Sequence, residues 1–197
     1  AFLANWGFGA INILLTFWLQ DVRDLSAATT GLVFLAYSVP FAVMGALTGR
    51  IVGRMGSRSP MVLGMALITC SFVVLTTLGT ASPIAVVLVA MALSGVGQGL
   101  AYNVSTTSAM SSVPDEDAGV ASGLLTALRN VGVAAGVAVA TLATAAPGTT
   151  SDAAADAEFT AGLSGAAWAL AGVSVLGLVV ALRAAVRPGV SPAAQLG

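Results

Sequence analysis

The chain has 197 residues, 57% of them hydrophobic and only 8% charged, with a mean hydropathy of +0.98. An ordinary soluble domain carries roughly a quarter charged residues, so a water-exposed globular surface is excluded. Arginine supplies all seven basic side chains, against eight carboxylates and no histidine, for a net charge of -1; that leaves no basic face for a nucleic acid backbone.

The first apolar run, residues 1–20, has no charged leader and no small-residue cleavage site before a polar chain, so it reads as a span and not as a signal peptide. It also lacks an initiator methionine, so the chain is expected to be cut from a longer protein whose missing part lies upstream. A short connection, 21–26, leads to a second run, 27–49. Pro40 lies in the middle of that run, removes one backbone hydrogen bond, permits a kink and is a candidate hinge. The connection 50–59 precedes the third run, 60–78, and the fourth occupies 84–106. The fifth, 118–146, follows Pro114, Asp115, Glu116 and Asp117, which suit a helix start because proline needs no donor there and carboxylates favour the positive dipole end. A sixth run, 159–182, is followed by a tail, 183–197.

Each run can cross about 30 Å of hydrocarbon at about 1.5 Å per residue. Barrel strands need about ten residues of alternating polarity, and these runs are longer and do not alternate. The expected fold is therefore an all-α integral membrane bundle of six helices over residues 1–182. Arg50, Arg54 and Arg58 share the second connection, and Arg183 and Arg187 share the tail, which six crossings put on one side. That side is expected to be cytoplasmic, giving a multi-pass protein of the cell membrane with its carboxyl terminus inside. The outward connections hold Arg23 as their only arginine, beside Asp21, Asp24, Asp152, Asp156 and Glu158.

Catalysis inside a bundle requires ionisable groups that converge. All eight carboxylates fall in connections or at span ends, so no catalytic residue, metal site or cofactor is expected and the chain does not read as an enzyme. Cys70 is the only cysteine, which excludes an internal disulfide and any cysteine/histidine metal cluster. The acidic cluster before the fifth run reads as a cap, since adjacent carboxylates at a helix start point apart and do not converge on a cation.

Arg129 is the one ionised group well inside a run. It costs about 2.5 to 3.5 kcal/mol at mid-bilayer, so it should face the interior or an aqueous cavity. Two registers are open: entry near Ala118 puts it near mid-membrane, whereas entry near Thr126 lets it snorkel to the cytoplasmic face.

Polar side chains recur at helical spacing on three runs. Asn5, Asn12 and Thr16 share an arc of the first, extended by Gln20. Ser94, Gln98, Tyr102 and Ser105 align on the fourth, and Ser122, Thr126, Arg129 and Asn130 on the fifth. Small hydroxyls can simply join helices. The larger groups point to a substrate cavity whose candidate residues are Asn5, Asn12, Thr16, Gln98, Tyr102, Arg129 and Asn130. The third and sixth runs, poorer in large polar groups, are expected to face lipid. Glycines four apart at Gly49/Gly53, Gly95/Gly99, Gly119/Gly123 and Gly132/Gly136 suit close helix approach.

The stretch Gly49-Arg50-Ile51-Val52-Gly53-Arg54-Met55-Gly56-Ser57-Arg58 resembles the loop motif of the major facilitator superfamily: glycine, three residues, aspartate, arginine, any residue, glycine, then basic positions. Gly49, Arg54, Gly56 and Arg58 match. Gly53 replaces the aspartate and Ser57 one basic residue, as in the degenerate second copy in the carboxyl-terminal half of such transporters. Three further stretches are similar to the 14-span drug:proton antiporters of EmrB/QacA type. These are Trp18-Leu19-Gln20 with Leu25-Ser26 and Gly31; Gly95-Val96-Gly97-Gln98-Gly99; and Val113-Pro114-Asp115-Glu116-Asp117-Ala118-Gly119 running on to Leu128-Arg129-Asn130-Val131-Gly132.

The resemblance implies the final six helices of a longer transporter, partnered by an amino-terminal portion of six or eight helices and by the lipid bilayer. It implies alternating access, with the first, second, fourth and fifth spans toward a central cavity that takes a small-molecule substrate. It also implies a proton as coupling ion, with the coupling carboxylate upstream because these spans hold none. The expected activity is proton-driven efflux of amphipathic compounds. The alternatives are an importer or metabolite exporter of the same fold, and a membrane scaffold or sensor without transport.

Overall fold

Alanine, valine, leucine and glycine fill the apolar runs, and a backbone in lipid must satisfy its own N–H and C=O groups, which a helix does within one segment. The structure, a computed structural model, describes residues 2–79, 82–111, 113–144 and 152–186. Among them are six long helices and no strand: α1 (Phe2–Phe17), α2 (Ala27–Met55), α3 (Arg58–Leu75), α4 (Ile84–Met110), α5 (Ala118–Thr144) and α6 (Asp152–Val186). Five stretches of the described helices are long and apolar enough to cross a membrane, and Ile11–Val22 is a shorter apolar one. Ala1, residues 145–151 and the tail from Arg187 onward lie outside the described residues.

Several helix ends differ from the limits of the apolar runs. α1 passes into a π-helical turn at Trp18–Val22. Beyond it, Arg23 donates from Nη1 to the Ser82 carbonyl at 2.9 Å and lies 5.3 Å from the Trp18 ring centre, which ties this end of α1 to the α3–α4 connection. Ser26 caps α2, its hydroxyl accepting from the Thr29 N–H at 3.2 Å. α2 runs on to Met55, so Gly49 and Arg54, expected in a loop, are helical, and Arg58 already opens α3. Only Gly56 and Ser57 remain between the two helices. Gly56 has φ of 72°, a conformation that favours glycine, and its N–H bonds back to the Val52 carbonyl at 2.9 Å. Arginine is a good helix former, so charge did not end the helix; glycine did. Pro114 precedes a 3₁₀ turn at Asp115–Asp117, with no side-chain cap bond, so it stands before the first helical position and not in it.

α4 is central. It runs parallel to α2, with Gly95 and Gly99 turned toward it. A Cβ on Gly95 would meet the Tyr37 carbonyl oxygen at 2.3 Å, and one on Gly99 the Met44 Cβ at 2.6 Å. On α4's other side Gly97 and Gly64 of α3 oppose each other, a Cβ on either lying within 2.8 Å of the partner's carbonyl oxygen. The Ser71 hydroxyl donates across this contact to the Ala90 carbonyl at 2.8 Å. α1 packs on α5, where Gly9 meets Val133 and Val137. α6 closes the bundle against α3, α5 and α1.

Of the glycine pairs expected to be contacts, Gly95/Gly99 is one. Gly49/Gly53 and Gly119/Gly123 have nothing near enough for an added Cβ to touch among the described residues. α3, expected to face lipid, is exposed on only one side: Met65, Ile68 and Phe72 are buried against the bundle while Leu63 and Val73 are exposed. α6 likewise buries Leu163, Ala167 and Leu170 and exposes Trp168, Leu176 and Val180.

Candidate functional site: a polar and aromatic wall across four helices

Two amides meet in the interior. Gln98 on α4 donates from Nε2 to Asn5 Oδ1 on α1 at 3.4 Å, and both residues are buried. The parallel packing allowed by Gly95 and Gly99 sets α2 beside this pair, and α2 brings Tyr37 and Phe41. A row of rings results: Phe8 to Tyr37 at 5.5 Å, Tyr37 stacked on Phe41 at 5.8 Å, and Phe41 edge-on to Tyr102 at 6.0 Å between centroids. These separations are those at which aromatic pairs attract. The row descends from α1 through α2 to α4, toward the end where α2 and α4 finish.

Arg129 of α5 terminates it. Its guanidinium carbon lies 3.8 Å from the Tyr102 ring centre, and Nη2 donates to the Thr106 hydroxyl and, at 3.4 Å, to the Tyr102 carbonyl. The residue is only 8% exposed, and its Nε has no hydrogen-bond partner among the described residues. Helical side chains lean toward their own amino terminus, so the guanidinium sits nearer the α4–α5 turn than its Cα does. α5 begins at Ala118, and the long side chain reaches Tyr102 and Thr106 of α4. Cation–π contact with a desolvated ring contributes about 2 kcal/mol, which offsets much of the burial cost.

The remaining expected residues stand apart from this group. Asn12 is only partly buried and donates from Nδ2 to the Phe8 carbonyl at 2.7 Å, while the Thr16 hydroxyl donates to the Asn12 carbonyl at 2.7 Å. Both satisfy themselves on their own helix. Asn130 is exposed on the open side of α5, with Ser122 and Thr126. Ser94 is buried, whereas Ser105 turns its hydroxyl to the Tyr102 carbonyl at 2.9 Å. Pro40 sits within an α2 that is helical on both sides of it.

Phe8, Tyr37 and Phe41 were not singled out from the sequence. An aromatic residue in an apolar run looks like any core or lipid-facing residue, and only their alignment with Tyr102 across α1, α2 and α4 distinguishes them. A sequence signal exists for two: Tyr37 and Phe41 are four apart and flank Pro40. No group of three or more histidine, cysteine or acidic side chains converges among the described residues. Chemically, the wall offers flat apolar surfaces, a pair of amides that can donate and accept, and one positive charge at its end.

A bundle of helices with five stretches long and apolar enough to cross a membrane, and with buried polar and aromatic side chains between them, is the build of an integral membrane protein. The chain belongs to the Major Facilitator Superfamily, whose family model matches residues 1–196; it is a multi-pass helical membrane protein of a transporter family and not an enzyme.

Among similar proteins is the multidrug resistance protein Stp of Mycobacterium tuberculosis, 39% identical over 127 residues, which are 64% of this chain and 24% of that protein. The tetracenomycin C resistance and export protein of Streptomyces glaucescens is 32% identical over 124 residues, 63% of this chain and 23% of that protein. The riboflavin transporter RibZ of Clostridioides difficile is 24% identical over 129 residues, 66% of this chain and 28% of that protein. The matched part is thus about a quarter of each relative's length.

Proposed function

We propose that this chain is the carboxyl-terminal half of a proton-driven exporter of amphipathic small molecules, of the 14-span drug:proton antiporter type, working by alternating access. The supporting observation is the wall itself. Asn5 and Gln98, joined at 3.4 Å, lie beside a row of rings contributed by α1, α2 and α4. A mostly apolar surface with a few polar anchors suits amphipathic ligands of varied shape. Names of the similar proteins, a multidrug resistance protein and an antibiotic resistance and export protein among them, support efflux as the direction.

In this reading the wall is one side of a central cavity, and the other side comes from an amino-terminal portion of the same protein. Rocking of the two bundles exposes the wall to each side of the membrane in turn. A substrate's ring stacks on the partly exposed Phe41 and Tyr102, while the buried pair of Asn5 and Gln98 braces α1 against α4 behind them. Arg129 holds Tyr102 in place and lends the inner end of the wall a positive potential. Proton coupling needs an embedded carboxylate, and every carboxylate of this chain lies outside the apolar runs, so the coupling acid belongs upstream. The protein sits in the cell membrane with the arginines at the α2–α3 junction and the carboxyl terminus in the cytoplasm.

The similarity to a riboflavin transporter favours, as a second reading, a major facilitator importer or metabolite exporter. Whole-cell accumulation of a fluorescent amphipathic drug separates the two. An exporter keeps accumulation low until an uncoupler collapses the proton gradient, whereupon it rises; Gln98→Leu should raise it without uncoupler. Unchanged accumulation on expression of the full-length protein, with or without uncoupler, contradicts the proposal.

A further inference from the structure

The last two turns of α2 carry a feature that the wall does not use. A shallow groove of about 260 Å³ runs along Leu47, Arg50, Ile51, Arg54 and Met55. Arg50 and Arg54 are one turn apart and exposed, and neither has an ion-pair or hydrogen-bond partner among the described residues. The resembling motif has aspartate where this chain has Gly53, so the carboxylate that would stand beside Arg54 is missing.

The position of the groove on the helix indicates its surroundings. At about 100° per residue, Leu32, Val39 and Val43 fall on the same side of α2 as Arg50, and all three are exposed. The other exposed flank of α2 carries Gly31, Gly45, Gly49 and Gly53. Small residues suit the close approach of another helix, whereas a stripe of bulky branched side chains suits lipid tails. The two arginines thus stand at the end of a stripe of exposed bulky side chains.

We propose that Arg50 and Arg54 hold the phosphate of an anionic membrane lipid whose acyl chains run along Val43 and Val39. The groove's apolar residues take the glycerol and first methylenes, and the guanidinium forks take phosphate oxygens in paired hydrogen bonds. The carboxyl end of a helix repels anions, so the attraction comes from the side chains and not from the helix end. The proposal rests on placement in a membrane and is independent of any transport activity.

The full-length protein, reconstituted in nanodiscs of mixed phosphatidylglycerol and phosphatidylcholine and released for native mass spectrometry, should retain phosphatidylglycerol preferentially. Each arginine near a charged membrane surface contributes about fivefold in binding, so R50Q or R54Q alone should weaken retention by about that factor. R50Q/R54Q should abolish the preference, and R50K/R54K, which keeps the charge but lacks the forks, should preserve part of it. Size-exclusion profiles of the Gln and Lys variants separate lost binding from lost folding, and the single variants serve if the double one does not fold. The proposal is overturned if R50Q/R54Q retains the wild-type preference. It is also overturned if millimolar inorganic phosphate strips the lipid, which would make this a soluble-anion site, or if Leu47→Cys cross-links efficiently to another helix of the protein, which would make it a protein contact.

Discussion

Arg129 is held by three separate contacts, and they respond differently to substitution. Lysine keeps the charge but has neither the flat face that lies on Tyr102 nor the fork that reaches both Thr106 and the Tyr102 carbonyl. Arg129→Lys should therefore lose about 1 to 2 kcal/mol of stability. Leucine removes the charge altogether, and replacing a buried ion with an apolar side chain is often neutral. Arg129→Leu should stay within about 1 kcal/mol of wild type, yet lower transport several-fold because the Tyr102 ring loses its support. Thermal unfolding of purified protein and vesicle transport check the pair, and a Leu variant that transports at the full rate removes Arg129 from the site. Such residues were legible in the sequence because a charge or a large amide among alanines and valines is costly in lipid and stands out. Asn12 stood out for the same reason. Its bond to the Phe8 carbonyl depends on a rotamer, and that left no trace in the sequence.

At the scale of elements, the bundle depends on backbones that come closer than side chains allow. An added methyl on Gly95 would meet the backbone oxygen of Tyr37, which cannot swing away like the tip of a side chain. Gly95→Ala should destabilise by about 1 to 3 kcal/mol through overpacking, and it should disturb the ring row because Tyr37 and Phe41 move with α2. Gly119→Ala, with open space around it among the described residues, should be neutral or stabilise by up to about 1 kcal/mol through helix propensity. A differential scan of both variants tests this, and equal effects would contradict it. Glycine spacing in the sequence identified both pairs as equivalent; only the crossing geometry told them apart. Polarity is a poor guide to where these helices end. α2 continues through Arg50 and Arg54 because helices end where the backbone turns, here at Gly56, and not where lipid ends. Pro40 lies between Tyr37 and Phe41 and leaves the Ala36 carbonyl without its usual donor. Pro40→Ala should raise thermal stability and, if α2 bends during the transport cycle, slow transport; a faster variant would exclude the hinge.

The molecule as a whole was the most legible level, since 57% hydrophobic residues cut into membrane-length runs by a few charges admit few architectures. What stayed illegible was the lateral arrangement of the helices, and with it the ring row, because neighbours across a bundle are separated by tens of residues in sequence. Asp115, Glu116 and Asp117 follow one another at an exposed turn, away from the wall. D115N/E116Q/D117N should accordingly leave the pH dependence of transport unaltered, and a shifted profile would bring these acids into the coupling path.

The central claim is that the wall formed by α1, α2 and α4 faces a shared aqueous path while α6 faces lipid, and thiol labelling tests it most directly. In a cysteine-free background of the full-length protein, Cys70→Ser included, single cysteines are placed at Phe8, 38% exposed in the isolated bundle, and at Leu176, 61% exposed, and treated with a water-soluble maleimide. The account predicts that the less exposed position, Phe8→Cys, is labelled and is protected by substrate, while Leu176→Cys is not labelled. Equal labelling of the two, or labelling at Phe8→Cys that substrate does not slow, would contradict it.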